Sequence, residues 1–122
     1  MKITTEFHYD AAHRLPNLPD THKCSRLHGH TYRLIVTVAG EVGMDGFVID
    51  FADVKTAIEP LIKQLDHYYL NDVDGLDNPT VEVQLEWLWD RIRLPGLSEL
   101  TLFEGLSNSA TYTGCNATTE ER

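Results

Sequence analysis

Long apolar runs are missing from this chain of 122 residues: its hydrophobic stretches are a few residues long, and its start, MKITTEFHYD, turns polar almost at once. A membrane-spanning helix needs about 20 mostly apolar residues, so no membrane span is expected, nor a secretory leader. Cysteine is scarce as well. Cys24 and Cys115 are too few for a disulfide framework, and nothing points to an oxidising compartment, although a single bridge between them stays open. A cytoplasmic protein is expected, and Asn116-Ala117-Thr118 then reads as a chance match to a glycosylation acceptor in a polar, frayed tail. The third shortage is positive charge. Ten Lys and Arg stand against nineteen Asp and Glu, a net charge of -9, which argues against a nucleic-acid surface.

What is present fits one globular domain over residues 1–122, with 42% hydrophobic and 24% charged residues and no internal repeat or linker. A domain of this size buries roughly two-thirds of its unfolded surface, so it can fold alone, while a deep pocket calls for other subunits to complete it. The charge is uneven. Residues 1–33 hold five basic and three acidic side chains, a balance of +2, and residues 34–122 hold five and sixteen, a balance of -11. Five of the six histidines, His8, His13, His22, His28 and His30, fall in that first segment.

Residues 3–13 alternate as a strand, with Phe7, Tyr9, Ala11 and His13 on one face and Glu6, His8 and Asp10 on the other. After a proline-rich loop over 15–20, the run HGHTYRLIVTVAG predicts a second strand over 28–40, hairpinned with the first. Asp50 reads as a helix N-cap, and Val54, Ala57, Ile58, Leu61, Ile62 and Leu65 follow at helical spacing, with Pro60 expected to bend or break the helix. A turn-rich connection over 70–79 leads to a second helix with Val81, Leu85, Leu88, Trp89 and Ile92 on one face, entered through Pro79-Thr80 and closed by Pro95-Gly96. Two strands over 97–103 and 109–113 close the chain. The order β-β-α-α-β-β is an α+β pattern: an antiparallel sheet covered on one face by two helices.

The chemistry concentrates in Cys24-Ser25-Arg26-Leu27-His28-Gly29-His30. Strand residues two apart share a face, so His28 and His30 can present both rings to one ion, and a hairpin partner can bring His13 alongside. Three neutral imidazoles with an open fourth position suit catalytic zinc. Cys24 is then either a fourth ligand that closes the site or a free thiol beside it, its thiolate favoured by Lys23 and Arg26. His8 and His22 read as surface residues. Asp66-His67 is either a relay pair or a helix-end histidine meeting the C-terminal dipole. Glu104, in the run Leu100 to Phe103, is either a solvated charge or a grip for a flat hydrogen-bonding ligand.

Taken together, Phe7-His8-Tyr9-Asp10-Ala11-Ala12-His13-Arg14-Leu15, His22-Lys23-Cys24 with His28-Gly29-His30, Leu65-Asp66-His67 with Leu70-Asn71, Asn78-Pro79-Thr80 with Glu82, and the late Glu104 resemble the 6-pyruvoyl-tetrahydropterin synthase family over nearly the whole chain. The short spacing from Cys24 to the histidine pair is most similar to its bacterial branch, the 6-carboxy-tetrahydropterin synthases of queuosine biosynthesis. The resemblance implies a tunnelling fold, in which the sheets of three subunits join into a barrel and two trimers stack with active sites between chains. It further implies Zn2+ on His13, His28 and His30, Cys24 as a proton-transferring thiol, and Asp66 with His67 as a relay on the opposite side of the substrate, with either the same chain or a neighbouring one as its source. Glu104 would anchor the pterin, and Thr80 would lie near it. The implied substrate is the small molecule 7,8-dihydroneopterin triphosphate, with Lys23, Arg14, Arg26 and Arg33 as candidate phosphate contacts. The implied partner is a second copy of the chain, as a trimer or dimer of trimers, with no nucleic acid and no membrane. Two rivals remain: a 6-pyruvoyl-tetrahydropterin synthase that eliminates triphosphate without carbon-carbon cleavage, and a non-catalytic zinc-stabilised binding module. The chain departs from the family pattern at Gly105, where Thr or Ser commonly follows the anchoring glutamate.

Overall fold

The computed structural model describes residues 1–114, so Cys115, the 116–118 acceptor pattern and the expected frayed tail lie outside the described residues. Strands β1 (Lys2–His13) and β2 (His28–Ala39) form the expected hairpin, and β3 (Leu97–Glu104) and β4 (Asn108–Tyr112) follow after two helices. The four strands make one antiparallel sheet in the order β1-β2-β3-β4. No helix of the described residues is long and apolar enough to cross a membrane.

Alternation along β1 buries Phe7, Tyr9, Ala11 and His13 and leaves Glu6, His8 and Asp10 in solvent, as the period-2 pattern requires. Tyr32, Leu34, Val36 and Val38 of β2 and Leu100 and Leu102 of β3 complete the apolar face. Burying each of the larger side chains fully contributes about 1.5–3 kcal/mol. Both helices pack on this face. Helix α1 (Phe51–Leu65) begins where the Asp50 side chain accepts from the Ala52 amide at 2.9 Å, and it buries Val54, Ile58, Leu61 and Leu65. It runs unbroken through Pro60, which differs from the expected interruption. The ring lies on the exposed face, where losing one backbone bond leaves no group stranded in the interior.

Helix α2 (Val81–Arg91) begins where Thr80 Oγ1 accepts from the Val83 amide at 3.1 Å. Its buried face is Gln84, Leu85, Trp87 and Leu88, so the tryptophan committed to the core is Trp87 rather than Trp89. Trp87 Nε1 donates to the Asp74 carbonyl at 2.9 Å, while Trp89 is half-buried, edge-on to Tyr112. The helix stops before Pro95-Gly96. A side chain at Gly96, where φ is +79°, would approach the Ala39 carbonyl oxygen to 2.6 Å, so glycine alone lets β3 start beside the end of β2.

The free edge of β1 is partly covered by the segment after α1. The His67 amide donates to the Asp10 carbonyl at 2.6 Å, the Ala12 amide donates to the Tyr68 carbonyl at 3.1 Å, and Ala12 and Tyr69 form a parallel bridge. His67 takes φ +63°, the one described non-glycine residue in the left-handed region.

Candidate metal and pterin site

The hairpin register sets His13 opposite His28 and Ala11 opposite His30, so three imidazoles converge at one end of the buried sheet face. One ligating atom from each lies within 4.8 Å of the other two. The rings stand nearly edge-on to one another, with centroids 4.6, 4.8 and 5.2 Å apart. His13 Nδ1 is 2.9 Å from the Pro79 carbonyl oxygen, and His28 Nδ1 is 2.7 Å from that of Arg26. A carbonyl only accepts, so both Nδ1 atoms carry the proton, and in the neutral rings both Nε2 atoms are free lone pairs. Those two Nε2 atoms face each other at 3.0 Å.

Two lone pairs at that distance repel unless a cation lies against them. Ligands of a tetrahedral zinc at about 2.0–2.1 Å sit about 3.3–3.4 Å apart, close to the spacing here, so the donor set fits the expected group. Burial holds the His13 imidazole below its ordinary pKa of 6.5, outweighing the raising effect of the Pro79 carbonyl, which keeps the ring neutral as a ligand must be.

Cys24 sits on a short 3-10 turn, Lys23–Ser25, capped by His22, whose Nδ1 accepts from the Cys24 amide at 3.0 Å. His22 therefore has a local structural task that the sequence did not indicate. Cys24 is not a member of the histidine group that could hold an ion, and it lines a cleft of about 570 Å³ with Lys23, Arg26, His28, His30 and Glu104. Glu104 reaches that cleft because β3 pairs with β2 so that Glu104 lies opposite Tyr32. Its Oε1 is 3.5 Å from His30 Nε2. Asn108, opposite Glu104 on β4, lines the same cleft and was not singled out from sequence, since only the β3-β4 register places it there.

Thr80 lies beyond Glu104, in an adjoining cleft of about 260 Å³ that shares Glu104 and Asn108, and its hydroxyl caps α2. Of the other basic candidates, Arg14 Nε donates to the Ser25 carbonyl at 3.2 Å. Arg33 pairs with Glu6 at 3.0 Å on the opposite sheet face, its guanidinium over the Phe103 ring.

Asp66 and His67 are not part of this cleft. They sit at the outer edge of β1, where Asp66 Oδ1 accepts from the Asp10 amide at 2.9 Å and Oδ2 lies 3.0 Å from His67 Nδ1. The backbone bond from Asp10 and then the His67 contact hold the Asp66 carboxyl below its ordinary value of 3.8. His67 is mostly exposed and lines a second surface cleft with Asp10, Thr31, Tyr68 and Tyr69, which shares His30 with the first. Thr31 Oγ1 donates to Asp10 at 2.6 Å and fixes that carboxylate beside the pair.

A family model described as 6-pyruvoyl tetrahydropterin synthase matches residues 2–115. The chain belongs to that family, and it is an enzyme. Among similar members, a Synechocystis protein named 6-carboxy-5,6,7,8-tetrahydropterin synthase is 40% identical over 119 residues, 90% of this chain and 91% of that one. A Pyrococcus furiosus protein named dihydroneopterin monophosphate aldolase is 41% identical over 102 residues, 80% of this chain and 83% of that one. The solved structure of Caenorhabditis elegans 6-pyruvoyl tetrahydropterin synthase superposes with a TM-score of 0.86 at 28% identity, over 94% of this chain and 96% of that chain. The four-stranded antiparallel sheet with two helices is thus the fold of the 6-pyruvoyl tetrahydropterin synthase family.

Proposed function

We propose that this enzyme is a single-domain, zinc-dependent 6-carboxy-tetrahydropterin synthase acting in the cytoplasm. It converts 7,8-dihydroneopterin triphosphate to 6-carboxy-5,6,7,8-tetrahydropterin with release of acetaldehyde and triphosphate and consumption of one water. Its product would enter queuosine biosynthesis. One observation carries the reading: the three-histidine cluster opens onto a cleft shared by a thiol, Cys24, and a carboxylate, Glu104. The Synechocystis relative supports the choice of reaction.

His13, His28 and His30 would hold zinc, which as a Lewis acid acidifies the side-chain hydroxyls of the pterin and the adjacent C-H bonds. Glu104 accepts hydrogen bonds from the amino and imino groups of the pterin ring and fixes its orientation, with Thr80 in the adjoining cleft close to the ring. Cys24 exchanges a proton with the side-chain carbons from one side. Lys23 and Arg26 on the cleft wall meet the triphosphate and offset the repulsion expected from a protein of charge -9. His67, oriented by Asp66, handles the proton on the opposite side of the substrate. Neither member of that pair lines the Cys24 and Glu104 cleft of its own chain, which supports a neighbouring copy as its source, in a trimer or dimer of trimers whose sheets join into a barrel.

Incubation with dihydroneopterin triphosphate and identification of the products tests the assignment. The expected result is the 6-carboxy pterin with acetaldehyde. A 6-pyruvoyl product without acetaldehyde would assign the simpler elimination instead, and recovery of unchanged substrate would leave a zinc-stabilised binding module.

A further inference from the structure

Gln84 is fully buried on the otherwise apolar inner face of α2. Burying an amide costs about 1–3 kcal/mol unless its hydrogen bonds are made, and a leucine would fill the position without that cost. Both ends of this amide are bonded. Its Nε2 donates to the Pro79 carbonyl at 2.9 Å, and its Oε1 accepts from the Tyr9 hydroxyl at 2.7 Å. The orientation is unambiguous, because the Pro79 oxygen only accepts and must therefore meet the amide NH2. Tyr9 is stacked on Tyr32 with ring centroids 5.0 Å apart, and burial raises both phenols well above their ordinary values, so both stay neutral and Tyr9 keeps the proton it donates to Gln84.

The same Pro79 oxygen accepts the His13 Nδ1 proton at 2.9 Å. A chain of hydrogen bonds thus runs from Tyr9 through Gln84 to the carbonyl that determines which nitrogen of His13 is free. We infer that Gln84 is a positioning residue for the metal site: by clamping the Pro79 carbonyl it keeps the His13 proton on Nδ1 and the Nε2 lone pair directed at the ion. Partners of this kind orient metal ligands, and their loss typically weakens metal binding roughly 10–100-fold. The inference rests on the reading of His13, His28 and His30 as a zinc site.

A Gln84→Met variant removes both hydrogen bonds at similar volume, which a core tolerates best. Its zinc dissociation constant, measured by competition with a chromophoric chelator on protein shown by circular dichroism to be folded, is expected to rise roughly 10–100-fold. Long-range nitrogen-proton NMR of the metal-free variant should show His13 leaving the Nδ1-H form while His28, anchored on Arg26 instead, stays in it. Native affinity in the variant would overturn the inference, as would His28 shifting together with His13, the mark of general loosening. If Gln84→Met does not fold, the native protein decides: His13 must be protonated on Nδ1 in the metal-free state, and a proton on Nε2 overturns the inference. A native protein that binds no zinc overturns both this inference and the reading beneath it.

Discussion

His13 Nε2 and His28 Nε2 stand 3.0 Å apart while each ring commits its Nδ1 proton to a backbone carbonyl, Pro79 for one and Arg26 for the other. The apo protein therefore carries an electrostatic cost that a cation removes. Zinc should raise the melting temperature, since a ligand at a hundredfold excess over Kd stabilises by about 2.7 kcal/mol. Thermal denaturation of chelator-treated protein, with and without added zinc, checks this. His28→Ala should abolish the zinc-dependent shift, and a native protein with no shift would remove the cluster from consideration as a metal site.

Cys24 lines the cleft but is not one of the three histidines that could hold an ion, so the roles proposed for the thiol and for the metal are separable. Cys24→Ala should stay folded and keep its zinc while turnover falls roughly 10²–10⁴-fold, the usual range for a lost proton-transfer group. Metal analysis beside a product assay makes the comparison. Loss of zinc from the variant would make Cys24 a fourth ligand and the site a structural one.

The histidine site was largely legible because it is local. Strand alternation puts His28 and His30 on one face, and a tight hairpin sets His13 opposite His28 with little freedom of register. Glu104 reached the same face only through pairing with Tyr32, seventy-two positions earlier in the chain, and no periodicity in 97–104 specifies that register. Gln84 was hidden for another reason. Its neighbours Leu85 and Leu88 advertise an apolar face, and a polar residue beside them reads as the rim of that face until its partners Tyr9 and Pro79 are seen. The tryptophans show the same limit: spacing allowed Trp89 on the inner face, whereas the packing of α2 against the loop at Asp74 chose Trp87.

Glu104 is only a quarter exposed, and among the described residues its one partner within ion-pair distance is the His30 imidazole at 3.5 Å, which leaves its carboxylate available to a ligand. Hydrogen bonds to a charged group are worth about 1.5–3 kcal/mol, so Glu104→Gln should weaken pterin binding roughly 10–100-fold. Titration of a non-reacting pterin analogue by fluorescence reads this directly. Unchanged affinity would make Glu104 a partner of His30 alone.

Asp66 offers a pH test away from the histidine cluster. Its carboxyl is held below 3.8 by the Asp10 amide and then by His67, so the ionised form favours the folded state. That stability is present above the unfolded carboxyl pKa and is lost as pH falls through the lower folded value. Asp66→Asn should therefore be less stable than the native protein at pH 7, with the gap closing as pH falls below about 4. Urea denaturation at both ends of that window decides the matter, and a gap that is constant with pH would assign the loss to packing.

His67 and Cys24 line different clefts of one chain, which gives the proposed subunit arrangement a direct test. Cys24→Ala and His67→Ala are each expected to be inactive as pure proteins. If each site combines the thiol of one chain with the relay of its neighbour, an assembly containing both variants has some boundaries where an intact Cys24 faces an intact His67. Mixing the two, dissociating them in mild denaturant and reassembling them should therefore restore activity, whereas each variant carried alone through the same treatment stays inactive. If the pair instead reached the cleft of its own chain, every site in the mixture would lack one group, and no activity would return.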